Sequence, residues 1–111
     1  MDFQTACALV VSQTEGTDTF LMRLQRQQSP VPGQVTALLL ALKVIEAELR
    51  SAPQLDRNLA YGLHALAYNS RQTYEYGRRQ RVSWPPLLDA DIDRIAIAVT
   101  RIFQGSTAPT P

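Results

Sequence analysis

Polar positions thin out between Val35 and Leu49, where Lys43, Glu46 and Glu48 are the only charges. Val35, Leu38, Leu39, Leu42, Ile45 and Leu49 recur at helical spacing and form one apolar stripe. Ala37, Leu40, Ala41 and Val44 carry apolar surface further round the same helix. This pattern predicts a helix from about Gly33 to Ser51 that neighbours cover on several sides, the central rod of a bundle. Leu39 and Leu42 are its expected fully buried anchors.

Shorter amphipathic stripes flank the rod. Asp2 to about Gln13 reads as a helix capped by Asp2, with Phe3, Ala6, Cys7, Val10 and Val11 on its apolar face. A loop at Thr14–Thr17 leads to a second short helix, capped by Thr17 or Asp18, with Phe20, Leu21 and Leu24 inward and Arg23 and Arg26 solvated. Ser29–Gly33 is a break, because Pro30 and Pro32 disfavour helix in the residues before them. A fourth helix runs from Leu55 or Asp56 to the neighbourhood of Tyr76. Its inner face is Leu55, Leu59, Leu63, Leu66, Ser70, Thr73 and Tyr74, with Gly62 allowing a close approach to the rod. Gly77 is a candidate C′ residue, followed by a polar connection, and a helix that runs on through it is the alternative. Trp84–Leu88 is read as extended. Asp89 is the expected cap of a last helix whose stripe is Ile92, Ile95, Ala96, Val99, Ile102 and Phe103, ending at Gly105.

No segment alternates as a strand does. The predicted fold is therefore all-α, a compact four- to five-helix bundle, mainly antiparallel, around the Val35–Leu49 helix. Residues 1–105 form one domain, and 106–111 a disordered tail with nothing to bury. The chain's 111 residues suit a single core. Eleven Lys or Arg against ten Asp or Glu give a net charge of +1, so no global field draws the chain to nucleic acid or anionic lipid. One cysteine forms no internal disulfide, Asp2 stands where a signal peptide needs basic residues, and no apolar run spans a bilayer. A cytoplasmic setting is expected.

The search for chemistry yields no catalytic, cofactor or metal motif. Gly16, Gly33, Gly62, Gly77 and Gly105 are too scattered for a nucleotide-binding loop. A single His and a single Cys make a poor zinc set. Asp89, Asp91 and Asp93 lack the glycine of a calcium loop and sit on a helical stripe. Two constellations remain. Arg57, Tyr61, His64, Tyr68, Arg71 and Glu75 line one face of the fourth helix, and Tyr and Arg are common anchors of protein interfaces. Arg71, Arg78, Arg79 and Arg81, with Trp84 close behind, could grip phosphate or stack a base. Each also has a plain structural reading. The tyrosines can pack under flanking helices with hydroxyls at the rim. The arginines can complement a helix end, with Trp84 folded into the core.

Phe20–Gln25 (FLMRLQ), Pro30–Thr36 (PVPGQVT), Leu39–Lys43 (LLALK), Leu55–Tyr61 (LDRNLAY), Ser70–Gln72 (SRQ) and Trp84–Leu88 (WPPLL) together resemble a small cyanobacterial family without established biochemistry. Its members sometimes carry a dethiobiotin-synthetase label. That label does not fit here, because such an ATP-dependent enzyme needs a P-loop and a larger α/β domain. The resemblance implies a cyanobacterial cytoplasm and no active-site residue. The expected function is a non-catalytic interaction module that binds another protein through Arg57, Tyr61, His64, Tyr68, Arg71, Arg78, Arg79, Arg81 and Trp84. Leu40, Val44 and Ile97 lie off their stripes, so a homodimer is also expected. Nucleic-acid binding through the arginines, and a small-ligand pocket near His64, are the alternatives.

Overall fold

Five helical segments form where the apolar stripes predict them, and one of the five changes pitch partway along. The computed structural model describes residues 1–105. The helices are α1 (Phe3–Ser12), α2 (Phe20–Gln25), α3 (Gln34–Leu49), α4 (Arg57–His64), α5 (Ser70–Arg79) and α6 (Leu88–Gln104). A π-turn, Ala65–Asn69, joins α4 to α5 without a break, so the two make one long rod. Among the described residues there is no strand, and no helix is long and apolar enough to cross a membrane. The expected tail, 106–111, lies outside the described residues.

The helix starts follow local chemistry, with two corrections. The Asp2 carboxylate accepts the Thr5 N–H at 2.7 Å, and that hydrogen bond holds its pKa below the usual carboxylate range. Neither Thr17 nor Asp18 caps α2. Gln13 does so from the end of α1, its Oε1 accepting the Phe20 N–H at 2.8 Å and its carbonyl the Leu21 N–H at 3.2 Å. Asp18 instead pairs with a half-buried Arg23 at 3.0 Å, so Arg23 is not simply solvated. Gly33 begins α3 with φ +90°, a left-handed turn that a residue without Cβ makes most easily. Asp89 does not cap α6, which starts one residue earlier, at Leu88.

The helix ends differ more. Gly77 is not a C′ residue, because α5 continues to Arg79. Arg81 takes the left-handed position, φ +65°, with Val82 N–H on the Gly77 carbonyl at 2.9 Å and Arg81 N–H on the Arg78 carbonyl at 3.1 Å. This is a complete Schellman motif. The end of α2 repeats it with Gln27 at φ +60°.

The core is built from Phe20, Leu24, Leu38, Leu42, Ile45, Leu63, Leu66, Ile92 and Ile95, all fully buried. Burying each such side chain contributes about 1.5–3 kcal/mol before ordering costs. α3 packs against α1 and α6. Its third side stays open, with Leu40, Lys43 and Ala47 exposed and Leu39 only half-buried, so Leu39 is not the fully buried anchor expected. α3 and α6 run parallel: Val35 and Leu88 line one groove, and Arg50, Ile102 and Gly105 another. α5 and α6 run antiparallel, Arg71 meeting Asp93 while Gly77 meets Trp84. Gly62 faces Val10 and Val11 of α1 rather than the α3 rod. Phe103, placed on the inner stripe by its spacing, is 48% exposed.

Candidate partner-binding surface

The α4–π–α5 rod begins at Asp56, whose carboxylate accepts the Leu59 N–H at 3.0 Å. Leu59, Gly62, Leu63, Leu66, Ser70 and Gly77 are buried along its inner side. The opposite side carries Arg57, Tyr61, His64, Tyr68, Gln72, Tyr76 and Arg79, all exposed. Successive steps along this stripe are four, three, four, four, four and three residues. Three steps of four in a row would drift by about 40° each in an α-helix, where a turn takes 3.6 residues. The π-turn is wider and takes the drift back. It keeps Tyr68, Gln72 and Tyr76 in line with Tyr61 and His64. The Ser70 hydroxyl donates to the Leu66 carbonyl at this turn and is itself fully buried.

The same change of phase rotates Arg71 and Glu75 off the tyrosine face, where uninterrupted helical spacing puts them. Arg71 turns to α6. Its guanidinium reaches Asp89 at 2.6 Å, Asp93 at 2.5 Å, the Asp89 carbonyl at 3.2 Å and Glu75 at 3.6 Å, and lies 5.3 Å from the Tyr74 ring centre. Partial burial acts to lower its pKa, but the hydrogen bonds and charges of Asp89 and Asp93 outweigh this and raise it. Trp84 is half-buried. Its indole N–H donates to the Tyr74 carbonyl at 3.1 Å, its ring stacks on Tyr74 at 6.0 Å, and its edge closes over Gly77. Both side chains are thus engaged within the chain. Of the residues expected on this surface, Arg57, Tyr61, His64 and Tyr68 stay exposed on the rod, with Arg78, Arg79 and Arg81 at its end.

The aromatic part is ordered without being buried. The His64 and Tyr68 rings stack at 5.4 Å with 10° between their planes. Tyr61, Tyr68 and Tyr76 are 68%, 54% and 53% exposed. Arg78 bonds Glu75 at 2.9 Å, whereas Arg57, Arg79 and Arg81 have no ion pair among the described residues. Gln72 and Tyr76 were not expected on this surface. Their signal in the sequence is indirect: Ser70 and Gly77 interrupt the leucine spacing of the inner face, which marks a change of phase.

Chemistry elsewhere is sparse. Cys7 is half-buried, and burial, then the nearby Asp56 charge, push its thiol pKa up. Asp91 pairs with Arg94 at 2.7 Å, and no group of three or more His, Cys, Asp or Glu side chains is placed to hold a metal among the described residues. No protein-family model, curated protein or solved structure matches the chain.

Proposed function

We propose that this chain is a non-catalytic protein–protein interaction module, an adaptor, regulatory or assembly factor of a cyanobacterial cytoplasm, and that it binds another protein through the outer face of the α4–α5 rod. The observation that carries the reading is the line of exposed aromatic residues, Tyr61, His64, Tyr68 and Tyr76, held in register by the π-turn. Rigid aromatic side chains lose little rotamer freedom on binding and bury a large area each. Self-association belongs to the same reading. Leu40 and Ile97 are 49% and 52% exposed on the adjacent helices α3 and α6, away from the tyrosine line, and offer a second copy a separate face.

Affinity capture from native lysate, with wild type and Tyr68→Ala side by side, tests the proposal. Loss of Tyr68 should weaken capture of a specific partner by about 1–3 kcal/mol. It should leave the unfolding midpoint unchanged, since the ring is more than half exposed. A wild-type and a Tyr68→Ala sample that retain the same proteins would sink the assignment of this face.

A further inference from the structure

We infer that the Arg79 end of this surface receives a short acidic segment of the protein partner, in the groove between α2 and α5. The inference rests on the partner-binding reading and adds the partner's chemistry. The groove is open, about 370 Å³, and is lined by Gln25, Gln72, Thr73, Tyr76 and Arg79. Every polar lining side chain except Arg79 can donate a hydrogen bond through an amide or hydroxyl, and Arg79 brings a fork of donors matched to a carboxylate. No carboxylate lines it.

The local charge points the same way. α2 and α5 pack together, and Gln25 at the end of α2 lines the groove with Arg79, so Arg78, Arg79 and Arg81 gather at this end, while Arg26 turns back to donate to the Thr17 carbonyl at 3.3 Å. Glu75 is the acidic residue nearest them in the helix, and Arg78 holds it. Each helix end carries about half a negative charge. Two such ends and Glu75 together offset roughly two of the three arginines, so the field stays positive. The carbonyls at both ends are already bonded in the two Schellman motifs, so the arginines are not needed to satisfy them.

A short acidic peptide fits this end better than nucleic acid. Trp84, expected to stack a base beside these arginines, is docked on Tyr74 and Gly77, which leaves Tyr76 as the single aromatic ring lining the groove, where a single strand needs several to stack successive bases. Asp89, Asp91 and Asp93 stand at the start of the neighbouring α6, where Arg71 and Arg94 offset all but about one of their charges, so a long polyanion lying across the molecule finds no positive surface there. A brief run of carboxylates confined to the groove avoids them.

Fluorescence anisotropy with a short labelled oligoglutamate peptide, at low and at physiological salt, tests the inference on the full chain. Saturable binding is expected, weakened about tenfold by Arg79→Glu and also reduced by Tyr76→Ala. Arg101→Glu, the same charge change at the exposed far end of α6, should leave it intact. Equal weakening by Arg101→Glu would mean non-specific attraction and would overturn the inference. So would absence of binding, or tighter binding of a single-stranded oligonucleotide of equal charge. These outcomes do not depend on Tyr68→Ala, which tests the partner reading itself. The unfolding midpoint of each variant shows that the comparison is between folded proteins.

Discussion

Gly62 and Gly77 lie in the same long helix and respond oppositely to the same added methyl group. A Cβ on Gly62 would sit 3.4 Å from Val10 Cγ1 and 3.6 Å from the Val11 Cα, ordinary contact distances. Gly62→Ala should therefore gain most of the helix-propensity difference, roughly 0.5–1 kcal/mol. On Gly77 the new atom would fall 2.5 Å from Trp84 Cζ2 and 2.9 Å from Nε1. The indole has to leave, taking with it the bond to Tyr74 and the stack. That overpacking costs about 1–3 kcal/mol and outweighs the helical gain. Trp84 is the chain's single tryptophan, so its emission reports the event directly. Gly77→Ala should shift emission to the red and lower the urea midpoint; Gly62→Ala should do neither. From the sequence alone Gly62 reads as a close approach to α3 and Gly77 as a helix end. What separates them is a long-range neighbour that no local pattern encodes.

At the scale of elements, the apolar stripes placed all the helices, since periodicity reports which residues face inward and does not require knowing what they face. Helix ends were harder to read. The chain uses Gln13 from another helix to cap α2, and puts Gln27 and Arg81 where glycine is the usual choice. The π-turn had the largest consequence, because it changed which residues share a face with Tyr68. Part of the candidate surface was therefore legible, Arg57 to Tyr68 and Arg78, Arg79 and Arg81, while Gln72 and Tyr76 and the departure of Arg71 were not. A π-turn behaves as one extra residue accommodated in an α-helix. Deleting Ala67 inside the turn should let α4 and α5 join as a plain helix while Arg71 still meets Asp89 and Gly77 still meets Trp84. Stability should stay within about 1 kcal/mol of wild type. Deleting Gln72, beyond the turn, instead rotates everything that follows off its partners and should cost more than about 3 kcal/mol. Thermal melts of the two deletions decide the matter, and equal losses would mean that the turn is not an independent insertion.

Across the whole molecule, one arginine links the tyrosine-bearing rod to α6 of the bundle. Arg71 ties α5 to the first turns of α6, and α6 in turn lies parallel to α3 in the core. The rod carrying the tyrosines packs on the bundle through Leu59, Leu63 and Leu66, and that tie and the Trp84 dock add to this at its α5 end. Asp89 and Asp93 are more than half exposed, while Arg71 is largely covered, so water screens the pairs only in part. A single exposed pair contributes about 0–1 kcal/mol, and a geometrically good network somewhat more. Arg71→Ala should cost about 1–2 kcal/mol, the upper part coming from lost packing on Tyr74. Arg71→Lys should recover little of it, because an ammonium cannot reach two carboxylates and a carbonyl with one planar fork. Salt separates the contributions. The screening length falls from about 10 Å at 0.1 M to about 3 Å at 1 M, so the electrostatic share should shrink in high salt while the packing share persists. Urea unfolding of wild type and both variants at the two salt concentrations provides the measurement. An Arg71→Ala penalty that does not change with salt would show that α6 is held to the rod by packing alone. The pairings of Arg71 with Asp89 and Asp93 would then be a consequence of the docked geometry and not one of its causes.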